Sequence, residues 1–439
     1  MDTCMLPAPS WLIGLGSSDP VIQLSTDALD AQNNVLFDTL CAARPQLVGI
    51  APAGDVLPGF HRKLVLHAGP PIDWDNMQPA MQAAVAGALV FEGLTPNLVT
   101  ARRLAANNIE YAPAHDHRAA GAMAGIISAS MPVFVVEDET SGAHAYATIN
   151  EGLGQALRFG ANSPDVLKRL TWIRDEFAPL LNQAIVLHGP IDLKLMIAEA
   201  LRRGDECHNR NKAATTLFFR EIAPDLVMTG APHDKIAAAL RFIAGNDHFF
   251  LSLSMAHAKA TMLAVEQRQI GSLVTTMAGN GREVGVRVSG IGDRWFTAPA
   301  EVAAVRLFEG HTIADATPTM GDSYITEALG LGAFALAAAP AIVEFIGGNV
   351  AEMIARSDEM RKITFAEHPQ FLIPSIGFKG VPSGIDVVRV ARTNVAPLIN
   401  TGVASRRPGV GQIGAGMQSL PLACFVEASK ALPAMSGSR

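Results

Sequence analysis

Charged residues are scarce in this 439-residue chain, at 17%, and aromatic residues scarcer still, at 6%. There is no run of Lys and Arg, and the formal charge is −7. The electrostatic footprint that phosphate backbones or anionic membrane surfaces require is therefore absent, and neither nucleic acid nor membrane is an expected partner. Cysteine is limited to Cys4, Cys41, Cys207 and Cys424, far apart and without a Cys-x-x-Cys spacing. That argues against a disulfide framework and a thiolate zinc site, and it points to a reducing compartment. The start, Met1-Asp2-Thr3-Cys4, shows no basic segment ahead of an apolar run, so no secretory signal is expected. The longest apolar stretch, residues 328–343, is interrupted by Pro340 and bounded by Glu327 and Glu344. It is short of the roughly 20 residues that span a bilayer and reads as a buried helix. The expected location is the cytoplasm.

Apolar residues, in contrast, make up 49% of the chain, and glycines number 39, enough for several cores with closely packed helices. Residues 1–160 alternate strands and helices, an α/β pattern. Residues 46–50 and 64–66 are short apolar runs bounded by Pro and Gly, followed by Met77, Met81, Ala84, Ala88 and Phe91 at helical spacing. A second helix is expected over 96–107 and a small-residue helix over 118–127, with strands at 109–111 and 133–136. Residues 161–268 read as mainly helical, opened by Ser163-Pro164 as N-cap and first-turn proline. Residues 269–439 read as an α+β domain closing the ligand site. There, 272–277 and 283–288 pair through Asn280-Gly281, helices are expected over 322–346 and 350–364, and short strands follow to about 413. The fold class is thus mixed α/β and α+β, in several domains.

The most unusual segment is Asp205-Glu206-Cys207-His208-Asn209-Arg210-Asn211-Lys212. On a helix, Asp205 and His208 are i,i+3 neighbours and His208 and Lys212 i,i+4 neighbours. A carboxylate, an imidazole and an ammonium would then share one face as a catalytic surface beside Asn209, Arg210 and Asn211. The alternative is a capped helix start with a solvated first turn. Gly245-Asn246-Asp247-His248 precedes another apolar helix. Asn246 or Asp247 would cap it, and Asn246 and His248 are candidate ligand contacts. Arg287, on a strand before Gly290-Ile291-Gly292, and Arg294 after it offer planar forks for carboxylate or phosphate. An Asp293–Arg294 surface pair is the plainer reading.

Further candidates lie in the first region. His67 stands at a strand end in a loop with Asp73 and Asp75, where it could act as acid or base, while Asp75 caps the next helix. Glu151, in Asn150-Glu151-Gly152, is a candidate carboxylate base or a turn residue. In His115-Asp116-His117 an extended backbone would direct both imidazoles to one side, but no third ligand is identifiable, and no metal is expected. Gly409-Val410-Gly411-Gln412-Ile413-Gly414 matches the dinucleotide fingerprint by letters. Too little chain remains for the helix and second strand that the fingerprint requires, so no cofactor is expected.

His67-Ala68-Gly69-Pro70-Pro71-Ile72-Asp73-Trp74, the 205–212 segment, Asn246-Asp247-His248-Phe249-Phe250, residues 290–299 and Asn400-Thr401-Gly402 stand here in one order. Together they resemble the YlbE/YahG-like family of bacterial proteins, over residues 40–424. One member of that family, AllG, is a subunit of oxamate carbamoyltransferase in purine breakdown, alongside a partner resembling an acyl-CoA synthetase subunit and a third protein. The resemblance implies reversible carbamoyl transfer between phosphate and oxamate or a related amide, in a homo- or hetero-oligomer. It brings no assignment of catalytic residues. The Ser-x-Arg-Thr carbamoyl-phosphate motif of aspartate and ornithine carbamoyltransferases is missing, with Ala391-Arg392-Thr393 only a fragment of it, so a different fold and site are expected. For that chemistry Arg210, Arg287 and Arg294 would hold anions and His208 would polarise the carbonyl oxygen, with Asp205 setting its tautomer. Asn400 and Thr401 are further binding candidates. The competing readings are an enzyme for another carbonyl or acyl-phosphate substrate, and a non-catalytic subunit that completes a partner's site.

Overall fold

The computed structural model describes residues 26–303, 305–342 and 349–432. The readings on Met1 to Cys4 and on the end of the helix expected over 322–346 lie outside the described residues. The fold is mixed α and β, with helices packed around several small sheets.

The largest sheet has five strands in the order Ala119–Ala120, His144–Thr148, Pro132–Asp138, Pro45–Pro52 and Ile191–Asp192. Its first pair is parallel and the other three are antiparallel. The expected α/β alternation survives in one parallel pair, Leu64–His67 with Glu110–Pro113, joined through helices Pro79–Phe91 and Leu98–Asn108. The helix expected over 118–127 does not form. Arg118, Met123 and Gly125 all take left-handed φ values near 60°, and Gly121 packs so closely on Gly125 that a Cβ there would fall 2.5 Å from its Cα. Small residues serve close backbone packing in this segment, not a helix face.

Against this sheet lies helix Leu251–Glu266, buried at every position except Leu263 and Glu266. A helix buried all round is usually apolar all round. This one instead carries Ser252, Ser254, His257, Lys259 and Thr261 into the interior, so its polar groups need partners from other elements. The hairpin expected around Asn280-Gly281 forms as strands Val274–Asn280 and Glu283–Val288, with Gly281 at φ 82°. Phe296–Pro299 and Met320–Gly321 extend it to four strands. Two further hairpins, Thr364–Ile373 with Lys379–Ile385 and Leu398–Ala404 with Gln412–Ser419, complete the C-terminal part. The main apolar cluster runs from Leu36 to Ala428 and draws on all three regions distinguished in the sequence.

Two C-terminal expectations are corrected. The apolar stretch after Asp322 is a short helix, Ile325–Leu329, then a 3₁₀ segment, Gly332–Ala338. Gly330 and Gly332 break it at φ 104° and 60°. Likewise the helix expected over 350–364 stops at Met360, and Thr364 opens a strand. Gly409 to Gly414 lead into strand Gln412–Ser419, where Gly411 packs on the Gly154 carbonyl.

Candidate active site

The 205–211 segment is a turn, not a helix, with Cys207 at φ 62°, and the helix begins only at Lys212. Asp205, His208 and Lys212 therefore share no face. Asp205 is buried and accepts the Ala214 N–H at 2.8 Å, which secures the start of that helix. Lys212 lies in solvent, 60% exposed, with Asp247 3.4 Å away. Arg210 donates its Nε to the Gly204 carbonyl at 2.9 Å and stands 3.6 Å from Asp205.

The partner of His208 comes from 119 residues away. Its Nδ1 donates to both carboxylate oxygens of Glu327, at 2.8 and 2.9 Å, and both side chains are buried. Glu327 also accepts from Ala333 N (3.2 Å) and Asn400 N (2.9 Å), with the Thr326 hydroxyl 2.9 Å from its other oxygen. A Cβ on Gly332 would fall 2.1 Å from Glu327 Oε1 and 3.1 Å from the His208 Cβ. The helix break at Gly332 is thus what lets the pair meet. Beneath it, Glu206 accepts the His208 and Arg210 N–H groups at 2.9 and 2.6 Å. Burial alone would push His208 toward neutrality. The charge and hydrogen bond of Glu327, assisted by Glu206, override it and raise the pKa, so imidazolium is favoured. Burial also raises Asp205 and Glu206 to about 7 each.

A second wall comes from the loop after strand His144–Thr148. Glu151 is buried and accepts the Leu157 N–H at 2.9 Å, and burial raises its pKa. Arg158 donates Nη2 to the Gly152 carbonyl at 2.9 Å and lies 4.4 Å over the Phe159 ring. Burial lowers its pKa to about 10. Asn246 donates to the Asn150 carbonyl at 2.9 Å and accepts the His248 N–H at 3.1 Å in the turn ahead of the helix. That helix starts only at Leu251, with Phe250 at its N-cap and no side-chain cap, so neither Asn246 nor Asp247 forms the cap expected of it. Burial, then the charges of Arg158 and His208, hold His248 near 3, so its imidazole is neutral. The charges of Arg158 and His208 both act on His248, so the three side chains lie within electrostatic reach of one another. Beside them is a pocket of about 40 Å³ whose lining includes Asn150, Glu151, Arg158 and Ser252.

Several buried polar atoms here have no hydrogen-bond partner among the described residues: Asn150 Nδ2, Arg158 Nε, Asn209 Nδ2, Asn211 Oδ1 and both ends of the Asn400 amide. Asn211 spends its other end on the His208 carbonyl, and Thr401 Oγ1 donates to the Gly402 carbonyl at 2.9 Å. Buried polar groups are rarely left unpaired without a ligand, water or strain to explain them.

The remaining candidates lie apart. Arg294 is exposed over the Phe296 ring. Arg287 pairs with Asp116, and His67 feels that same carboxylate, so both belong to a different cluster. His115 is buried 3.5 Å from Asp322, whereas His117 bonds the Pro58 carbonyl at 2.6 Å. The 3₁₀ turn over Ala114–His117 separates the two rings, so they do not face one ion. Asp75 sits in a 3₁₀ turn with no side-chain cap formed at the start of the next helix. The residues missed in the sequence are Glu327, Glu206 and Arg158. Glu327 had a signal: it is an acidic residue at the edge of the longest apolar stretch.

The family model described as oxamate carbamoyltransferase subunit AllG matches residues 109–323. The oxamate carbamoyltransferase subunit AllG of Escherichia coli (strain K12) is 41% identical over 409 residues, covering 92% of this chain and 98% of that one. The uncharacterized protein YahG of the same organism is 45% identical over 403 residues, 92% of this chain and 85% of its own. A conserved protein of unknown function from Enterococcus faecalis V583, known from a crystal structure, superposes with a TM-score of 0.90. It is 44% identical and covers 92% of this chain and 97% of its own. The chain belongs to the AllG family.

Proposed function

We propose that this chain is a subunit of a carbamoyl-transfer enzyme that converts N-carbamoyloxamate and phosphate to oxamate and carbamoyl phosphate. One observation carries the assignment: the unpaired buried atoms around His208 are mixed donors and acceptors, mostly from amides. A ureido group, with its own N–H donors and carbonyl acceptors, is what such a set complements.

In the proposed reaction a phosphate oxygen attacks the carbamoyl carbon and the bond from that carbon to the oxamate nitrogen breaks. His208, held as imidazolium by Glu327, gives the proton from its other ring nitrogen to the departing nitrogen. It regains one from the attacking hydrogen phosphate, so protons and charge balance. Arg158 holds an anionic oxygen of a reactant, and Asn209, Asn246, Asn400, Thr401 and neutral His248 orient the amide. Such positioning and proton transfer are general routes to rate enhancement. The 40 Å³ pocket is too small for the whole substrate, so the 151–155 loop, glycine-bearing and partly exposed, moves aside for entry. The subunit naming of the relative supports action within a complex, with an acyl-CoA-synthetase-like chain as the proposed partner.

The test is phosphate-dependent turnover of N-carbamoyloxamate by the complex reconstituted with its partner subunits. His208→Ala is expected to reduce the rate by about a hundredfold or more with the fold intact. A wild-type complex inactive on this substrate and its close amide analogues refutes the reaction, and near-normal rates for His208→Ala refute the site.

A further inference from the structure

Helix Leu251–Glu266 links the His208 neighbourhood to a second polar centre. Ser252 lines the pocket beside Arg158, and Lys259 stands seven residues on, on the same helix face and about 10 Å along the axis. Lys259 is fully buried, and its ammonium has no hydrogen-bond partner among the described residues. Neither has either ring nitrogen of His115, His67 Nε2, Arg287 Nε or Trp295 Nε1. Arg287 lies 4.4 Å over the Trp295 ring, and that ring is 6.2 Å from His115. Thr276, opposite Arg287 in the strand pair, adds an unpaired hydroxyl.

The acceptors nearby are largely engaged. Asp322 accepts the Gly69 and Gly121 N–H groups at 2.8 and 3.0 Å and lies 3.5 Å from His115 Nε2. Asp116 is paired with Arg287. Among the described residues, Glu266 Oε1, two turns along the helix from Lys259, is an unpaired carboxylate oxygen in this neighbourhood. Burial keeps both imidazoles neutral, so His67 Nε2, whose ring donates through Nδ1 to the Ala68 carbonyl, and one His115 nitrogen are acceptors. The unpaired donors are Lys259, Arg287 Nε, Trp295 Nε1 and the other His115 nitrogen, two of them on cationic side chains. An ammonium left in such surroundings without a partner is costly. A buried ammonium with no hydrogen-bond partner needs an explanation, and a bound ligand supplies one. Three residues of the cluster, His115, Arg287 and Trp295, line a cleft of about 660 Å³ together with Asp116, Arg118, Glu266 and Asp293; Lys259 itself is not in that lining.

We propose that the cluster around Lys259 is a second ligand site, separate from the His208 centre and built for a small oxyanion. A cation there would face Lys259 and Arg287, and an apolar ligand would leave the donors unpaired. An oxyanion accepts from the ammonium, the guanidinium edge, the indole N–H and the one N–H of neutral His115 together. Burial lowers the Lys259 pKa, and a bound anion restores the charged form. The inference does not depend on which reaction the His208 centre performs.

The test is calorimetric titration of the full chain with inorganic phosphate and, in a parallel arm, with oxamate as the carboxylate probe. At least one is expected to bind the wild type and His208→Ala alike, and which one binds decides between phosphate and carboxylate ligands. Lys259→Met and Arg287→Met are expected to weaken that binding at least tenfold, with the melting temperature of Lys259→Met unchanged or raised. Trp295→Phe keeps the ring over Arg287 and removes one donor, so it serves if the other variants fail to fold; binding should weaken several-fold. Failure of both probes to bind the wild type overturns the proposal. So does undiminished binding in every folded variant, or binding lost in His208→Ala and kept in Lys259→Met.

Discussion

Replacing Glu327 with Gln tests the His208 centre most sharply, because it removes the charge while nearly preserving the shape. Glu327 accepts from three buried groups, His208 Nδ1, Ala333 N and Asn400 N, and has the Thr326 hydroxyl 2.9 Å away. With the amide oxygen placed where Oε1 now sits, Glu327→Gln keeps His208, Ala333 and Asn400 as donors. Its NH₂ then faces Thr326, whose hydroxyl already donates to the Ser323 carbonyl at 2.7 Å and has lone pairs to offer. The expected stability loss is about 1–2 kcal/mol, for charge-assisted bonds replaced by neutral ones. Glu327→Ala instead leaves His208 Nδ1, Ala333 N and Asn400 N without an acceptor, at about 1–3 kcal/mol each, while Thr326 keeps the Ser323 carbonyl. That approaches the whole stability of a typical protein, about 5–15 kcal/mol, so the alanine variant should fail to fold.

The functional consequence follows from the pKa. Without the carboxylate, burial dominates and the His208 pKa should fall below the ordinary imidazole range. At pH 7 the variant would then carry neutral imidazole and lose its general acid, for a drop in kcat of about a hundredfold or more. A merely structural role for Glu327 would leave the pH profile in place. The assay is the pH dependence of kcat in the reconstituted complex, with histidine NMR to follow the ring. A folded Glu327→Gln complex with wild-type kcat and an unshifted profile would refute the reasoning.

Three further outcomes are expected. Glu206 has a folded pKa raised to about 7, so the folded state binds its proton more tightly, and the stability this confers is lost as pH rises toward 7. Relative to wild type, Glu206→Gln should therefore gain stability between about pH 4.5 and 7, by up to about 1.4 kcal/mol per pH unit. The opposing contributions of buried neutral histidines cancel in that difference, and urea midpoints across the range that keep a constant offset would contradict it. Gly332→Ala should damage both stability and turnover, because its Cβ would enter the Glu327 carboxylate; a melting temperature and rate equal to wild type would show that the 3₁₀ segment yields easily. Titration with NAD should show no micromolar binding, since a strand follows Gly411 where a dinucleotide site needs a helix; measurable heat of binding would overturn that reading.

Local features were legible in the residues because their causes are local. Ser163-Pro164 starts its helix with the serine oxygen accepting the Val166 N–H, and Asn280-Gly281 turns its hairpin with the glycine at positive φ. Apolar spacing marked helix Pro79–Phe91 and the strands at Pro45–Pro52 and Leu64–His67. The polar segments around His208 and His248 were visible as breaks in an apolar sequence, and the two histidines lie within electrostatic reach of each other.

Tertiary structure decided everything that depends on which elements meet. Periodicity reports that a face is buried, not against what, so it could neither pair His208 with Glu327 nor set Lys259 beside Arg287. It also assigned a helix to 205–212, where the chain turns because Glu206 folds back onto the N–H groups of His208 and Arg210. The small-residue segment 118–127 was misread for the same reason: alanine and glycine suit a helix and a tightly packed turn equally, and only the neighbouring backbone selects between them. From sequence alone, Asp205 was the carboxylate expected to set the His208 tautomer, and Glu327 was one acidic residue among 41 Asp and Glu. A helix start and a glycine break, each set by contacts distant in the chain, put the first beneath Ala214 and the second against the imidazole.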